Sequence, residues 1–259
     1  MRTPLLAAVL GLSLVGCLTV GDAGPGTGGD DDTDPGTGPG PGPGPGPTAN
    51  PKLDVSLDKP TIASELFTTN MVTVSLRASG GFSGSVGLVA SAVDGAGVAI
   101  PGWTVTLDKA TVDVAADGTA TAVATVKIPS DSAEAAGTVK IDTTSTLGPK
   151  SLTSAVTVAK QLSVNLTLNG TNCVYPAQMV GTVKVPNGTK LRWVNGDATS
   201  AITIHLGGGI AGLSHEQGTT APGAAYEQTV NAATGTTDWY CHNRNDPKNM
   251  LLQAVPAAP

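Results

Sequence analysis

Sulfur and imidazole side chains are concentrated in the last third of the chain, in and before the segment "DWYCHNRNDPKNM". They are Cys173, His205, His215, Cys241, His242 and Met250. A thiolate, two imidazoles and a thioether form the ligand set of a blue-copper centre, because soft sulfur suits Cu(I) and imidazole suits both oxidation states. The competing prediction is that Cys241 forms a disulfide, which would remove the thiolate that copper needs.

The N-terminal residues predict a lipid anchor. A charged n-region precedes an apolar run at residues 5–15, which is too short to span a bilayer as a helix. The run ends in "LVGC", which resembles a bacterial lipobox and implies that Cys17 is diacylated. Since Leu18 follows rather than aspartate, the resemblance also implies the outer membrane, with a periplasmic or surface-exposed chain. Cys173 and Cys241 then remain as an even pair in an oxidising compartment, the expected count for one disulfide.

Changes in composition define the predicted domains. Residues 1–17 are a signal peptide, and residues 18–50 form a linker around "PGTGPGPGPGPGPT". Alternating Gly and Pro favour an extended, disordered spacer. Residues 51–160 alternate apolar and polar side chains between turn segments such as "SGGFSG" and "ADGT", which predicts an antiparallel β-sandwich. This stretch resembles the Ig-like modules of bacterial secreted proteins, and the resemblance implies a spacer or adhesive role.

Residues 161–259 continue as short strands, so we predict an all-β chain with two antiparallel β-sandwiches after a disordered linker. The order of segments is "VPNGTKLRWVNGD", the histidine-bearing "AITIHL", "APGAAYEQTV" and "GTTDWYCH", followed by a methionine. This order resembles the cupredoxins, the Greek-key β-sandwich family of blue-copper proteins. The resemblance implies copper binding for electron transfer or copper holding, with Cys241 as the thiolate and Met250 as the axial ligand.

The sequence does not decide which histidines would bind copper. In cupredoxins the first histidine follows the segment that "WVNGD" resembles, at a place that holds Ala201 here, and His205 comes later on the same predicted strand. The second histidine of the family lies between the cysteine and the methionine, at places that here hold the non-histidine residues 244–246. We therefore predict His205 with either His242 or His215 as the copper-binding imidazoles.

The period of a strand constrains Cys241 further. In an extended segment, Trp239 and Cys241 face one way and Tyr240 and His242 the other. With Trp239 in the core, Cys241 points inward. In cupredoxins the segment corresponding to that around Cys173 commonly lies at the copper end of the sandwich, which implies that this cysteine can approach Cys241.

Two alternatives to the copper–thiolate prediction follow. The first is a metal-free structural or interaction domain stabilised by a Cys173–Cys241 disulfide. The second keeps that disulfide and adds a histidine-only copper or zinc site at His205 and His215.

Charge and residue types argue against other function classes. The net charge of −6, without a basic stripe, argues against a nucleic-acid partner. No nucleophile with an associated base is recognisable, so we do not predict an enzyme. The expected partners are the membrane, through the lipid anchor, and a redox protein if copper is bound.

Overall fold

Short strands joined by turns make up the first pair of sheets in the computed structural model, which describes residues 50–241 and 250–257. These strands are β1 (Lys52–Leu57), β2 (Thr61–Glu65), β3 (Thr69–Ser79), β4 (Gly84–Val93), β5 (Thr104–Leu107), β6 (Thr111–Val114), β7 (Thr119–Lys127), β8 (Ala136–Ser145) and β9 (Gly148–Ala159). They form a four-stranded sheet of order β1-β3-β7-β5 and a five-stranded sheet of order β2-β9-β8-β4-β6.

Alternation of apolar residues along each strand builds the core of this first sandwich. On β3 every second side chain, beginning with Val72 and Val74, is buried. Each of these valines lies opposite a small residue of β7: Val72 faces Ala124 and Val74 faces Ala122. A larger side chain is thus paired with a smaller one on the core face. Burial of one such valine stabilises the fold by about 1.5–3 kcal/mol.

The second pair of sheets follows from Gln161 onward. Its strands are β10 (Gln161–Asn169), β11 (Asn172–Val174), β12 (Gly181–Pro186), β13 (Lys190–Asn195), β14 (Ile204–Leu206), β15 (Ala225–Thr229), β16 (Thr236–Cys241) and β17 (Met250–Val255), with a 3₁₀ turn at Ala177–Met179. One sheet has the order β11-β10-β13-β15 and the other the order β12-β17-β16-β14. Trp193 and Trp239, one from each sheet, are fully buried, and their ring centroids lie 5.9 Å apart.

The prediction of an all-β chain with two sandwiches is confirmed for the described residues, which contain no α-helix. No helix among them is long and apolar enough to cross a membrane. Pairing is not purely antiparallel, however, because β2–β9, β10–β13 and β12–β17 are parallel. Parallel neighbours need crossover connections rather than hairpins, and each of these pairs is separated in sequence by other strands.

The turn "PNGT" joins two strands that belong to different sheets. Thr189 N–H donates to the carbonyl of Pro186 at 3.0 Å, which closes the turn. The preceding strand β12 pairs with β17, whereas the following strand β13 pairs with β10. Gly188 adopts φ = +84°, a left-handed conformation that glycine reaches at little cost.

A single residue, Lys160, separates the last strand of the first sandwich from the first strand of the second. Leu66 N–H donates to the carbonyl of Gln161 at 2.9 Å, and the Gln161 side chain donates to a carboxylate oxygen of Glu65 at 2.5 Å. Lys190 N–H donates to the carbonyl of Lys160 at 3.0 Å. Both sandwiches therefore hold the connection through hydrogen bonds.

Asn195 organises the connection between β13 and β14. Its buried amide donates to the carbonyls of Ser200 and Thr220, at 2.9 Å each, and its carbonyl oxygen accepts from Asp197 N–H at 3.0 Å. Backbone N–H groups of Thr199 and Ser200 donate to the Asp197 carboxylate, and they hold the pKa of that carboxyl below its usual range. The segment before β14 is thus fixed by local polar contacts.

We expect Asn195→Ala to lower the free energy of unfolding by about 2–4 kcal/mol, since it removes two hydrogen bonds in a buried setting. Asn165→Ala is the matched control, because Asn165 is exposed on β10. Chemical denaturation of both variants measures the difference. Equal midpoints for the two variants would show that Asn195 does not hold this connection.

Candidate metal and disulfide site

Strands β14 and β16 carry two of the predicted ligands, His205 and Cys241, and their register decides which side chains can meet. Ile204 pairs with Cys241 and Leu206 with Trp239, and all four side chains are buried. Residues directly opposite on antiparallel strands share one face, and the next pair lies on the other face.

His205 lies on the outer face of this strand pair. It pairs with Tyr240, and the two rings stack with their centroids 4.4 Å apart. The prediction that Trp239 and Cys241 point inward while Tyr240 points outward is confirmed.

Cys173 and Cys241 form a disulfide, with their Cα atoms 6.4 Å apart. Cys173 lies on β11 and Cys241 at the end of β16, so the bond joins the two facing sheets of the second sandwich. Both residues are buried, Cys241 completely. The sulfur that the copper prediction requires as a thiolate is therefore bound to another sulfur.

Tyr175 reinforces this end of the sandwich. Its hydroxyl oxygen accepts a hydrogen bond from Cys241 N–H at 3.2 Å, and its ring packs edge-on against Trp239 with centroids 5.3 Å apart. The backbone of Cys241 is thus tied to the aromatic core.

The imidazoles of His205 and His215 are in contact on the outer face. Their ring centroids lie 4.7 Å apart, and the ring planes are almost perpendicular, at 88°. His215 Nδ1 lies 2.5 Å from the carbonyl oxygen of Glu216. A carbonyl oxygen only accepts, so Nδ1 is the donor in this contact.

Glu216 fixes the loop that carries His215. Its N–H donates to the Ile204 carbonyl at 3.1 Å, and its carboxylate accepts from Ile204 N–H at 2.7 Å. The second carboxylate oxygen accepts from the Thr220 hydroxyl at 2.7 Å. Farther along the loop, Ile202 and Thr220 exchange two backbone hydrogen bonds, which align the segment with the edge strand β14.

The described ligands do not fit a copper–thiolate centre. Cys241 is consumed by the disulfide and faces the core, whereas His205 faces outward from the neighbouring position, so one ion cannot reach both side chains. Met250 is buried on the inner face of β17. Over residues 50–241 and 250–257, no group of three or more His, Cys, Asp or Glu side chains is arranged to hold a metal ion.

Two predicted site residues, Cys17 and His242, lie outside the described residues, as does the linker before Asn50. Of the others, the structure brings Cys173 to Cys241 and His205 to His215.

Three residues that hold the predicted site residues in place were not predicted from the sequence: Tyr175, Glu216 and Tyr240. Glu216 lies in a loop without periodicity, and only its position directly after His215 distinguishes it. Tyr240 was placed on the outer face, but its stacking on His205 depends on a strand register that is not local in sequence.

No protein-family model and no curated protein matches the chain. It is similar to the Salmonella enterica SafA pilin in complex with the SafB chaperone, at 12% identity over 78% of this chain and 96% of the other, with a TM-score of 0.31. Domains 5–6 of the S-layer protein SbsC are 14% identical over 80% and 99%, also at 0.31. A family 123 glycoside hydrolase from Clostridium perfringens is 10% identical at 0.36, over 41% of this chain and 27% of the hydrolase. We infer no function from similarities at these scores.

We expect the double variant Cys173→Ala/Cys241→Ala to unfold with a free energy about 2–4 kcal/mol lower than the parent chain, because the bond closes a long loop. Thermal and chemical denaturation measure the loss. The parent chain treated with reductant is the control and should lose a similar amount.

Alkylation of the denatured, unreduced parent chain should leave the peptides of Cys173 and Cys241 unmodified in mass spectrometry. Full alkylation of both peptides would show that the disulfide is not present in solution.

Proposed function

We propose that the protein is a lipid-anchored structural or interaction protein of the bacterial cell envelope. In this proposal Cys17 carries the lipid, residues 18–50 are the spacer, and the two sandwiches form the part that meets partners. The C-terminal sandwich, whose segment order resembles that of the cupredoxins, acts in this proposal without a copper–thiolate centre. A disulfide holds the end of the domain where such a centre would lie.

One observation carries the proposal: the buried Cys173–Cys241 bond joins the two sheets at the end of β16. An electron carrier of the blue-copper type needs the Cys241 thiolate on the metal in both oxidation states. His205 points away from the face that holds Cys241, and this supports the same conclusion independently. The direction of His205 is set by the strand register and does not depend on whether the disulfide is reduced.

An envelope location gives the disulfide a physical role. Disulfides persist in oxidising compartments, and this one contributes stability that does not depend on a cofactor. A small charged fraction, 13% of residues, and many Thr-rich strands are compatible with a passive β-rich scaffold.

Addition of Cu(II) to the full chain should give no intense thiolate-to-copper band in the visible spectrum. The reason is that Cys241 has no free thiolate to donate charge. An established blue-copper protein, stripped of metal and reloaded in the same buffer, is the positive control. An intense band together with one or two reactive thiols would restore the electron-transfer alternative.

Replacement of the predicted lipidation site, Cys17→Ala, should move the protein from the membrane fraction to the soluble fraction, because acyl chains on that residue supply the anchor. Metabolic labelling with a fatty acid and fractionation of the cells measure this. Cys173→Ala/Cys241→Ala is the control for loss of a cysteine as such, and should stay labelled. A Cys17→Ala chain that remains labelled and membrane-bound would contradict the anchor.

A further inference from the structure

Three asparagines of the second sandwich are followed directly by glycine. They are Asn169, Asn187 and Asn195. In such a pair the backbone nitrogen of the glycine can attack the side-chain amide carbon of the asparagine, because glycine has no side chain to block the approach. The attack needs an asparagine side chain that is free to rotate and a glycine N–H that is not held by a hydrogen bond. The three pairs differ in both respects.

The pair at Asn195 meets neither requirement. Its buried side-chain amide donates to the carbonyls of Ser200 and Thr220, at 2.9 Å each. The N–H of the following residue, Gly196, donates to the carbonyl of Leu166 at 2.7 Å. Attack at this pair requires the local structure to open first, and the free energy of opening slows the reaction.

The pair at Asn187 meets one requirement. Its side chain is partly exposed, in the turn between β12 and β13. The N–H of Gly188, however, donates to the carbonyl of Val230 at 2.7 Å, and the N–H of Asn187 itself donates to Val255 at 2.8 Å. The backbone on both sides of the reacting side chain is therefore held, so this pair too has to open locally before attack.

The pair at Asn169 meets both requirements. Asn169 is the last residue of β10 and lies opposite Asn172 of β11, so Gly170 and Thr171 form the turn of a hairpin. Both residues of the pair are exposed, and Gly170 has φ = +62°. Among the described residues, neither the Asn169 side chain nor the Gly170 N–H makes a hydrogen bond. The turn places this N–H outside the strand ladder, so no opening of the ladder is needed to release it.

We propose that Asn169 is a site of spontaneous covalent modification, in which a carboxylate replaces the side-chain amide. The Gly170 nitrogen bonds to Cγ of Asn169 while the Cγ–Nδ2 bond breaks, and the proton of the Gly170 N–H leaves with the amide nitrogen as ammonia. Water then opens the resulting five-membered imide. Addition at Cγ gives aspartate, and addition at the backbone carbonyl carbon gives isoaspartate. No electrons are transferred, and water is the only co-reactant.

The modification acts on the hairpin that carries a disulfide cysteine. Asn169 and Asn172 form its last residue pair, and the next pair is Leu168 with Cys173. Isoaspartate routes the main chain through the former side chain and lengthens it by one carbon, so the pairing beside the disulfide has to adjust. Either product adds a negative charge to a chain whose net charge is already −6.

The test incubates the full chain, with its disulfide intact, at mildly alkaline pH and at a temperature below its unfolding transition. Reduction and digestion with trypsin then place the three asparagines on separate peptides, residues 161–184, 185–190 and 193–244. Fragmentation in the mass spectrometer locates the new carboxylate, and an isoaspartyl methyltransferase labels the isoaspartate. We expect modification of Asn169 to be roughly tenfold faster, or more, than that of Asn195, with Asn187 also slower than Asn169.

The same chain, reduced and unfolded in urea, is the matched control, because each Asn–Gly pair then reacts without the fold around it. Its three rates should lie close together. In the folded chain, similar rates at the three sites, or faster reaction at Asn187 or Asn195, would overturn the proposal. An intact Asn169 in the folded chain, under conditions in which the unfolded chain reacts, would overturn it as well.

Asn169→Ala separates this site from the other asparagines on its peptide. The variant should keep the disulfide and leave the peptide of residues 161–184 unmodified. Modification of that peptide at the parent rate would assign the reaction to another asparagine and contradict the proposal. The measurement depends on neither the lipid anchor nor the proposed scaffold role.

Discussion

The Cys173–Cys241 bond is the constraint on which the second sandwich depends. It connects β11 of one sheet to the end of β16 in the other, next to the packed rings of Tyr175 and Trp239. Packing between the sheets is otherwise mostly apolar, and the covalent link adds a fixed connection at this end of the sandwich. The bond also occupies the sulfur that copper–thiolate chemistry would need.

The two faces of the β14–β16 pair carry separate chemistry. The inner face holds the disulfide sulfur and the apolar core, and the outer face holds His205, Tyr240 and the loop with His215. Strand alternation makes this separation strict, since adjacent residues cannot share a face while the strand is extended. The disulfide sulfur of Cys241 and the imidazole of His205 therefore lie on opposite faces of this strand pair.

The all-β class and the inward direction of Trp239 and Cys241 were predictable because they follow from a period of two within one segment. The stacking of His205 on Tyr240 was not, because it depends on how β14 aligns with a strand that follows it after a long loop. Parallel pairing of β10 with β13 and of β12 with β17 was missed for the same reason. The sequence also left the partner of Cys241 open, because the position of this residue is compatible both with a copper-bound thiolate and with a disulfide.

The single-residue connection at Lys160 bears on the cooperativity of the whole described part of the chain. Leu66 of the first sandwich and Gln161 of the second share a hydrogen bond across it, and both sandwiches belong to one compact unit. A strand end displaced in one sandwich therefore removes a hydrogen-bond partner from the other, which couples the two at this junction.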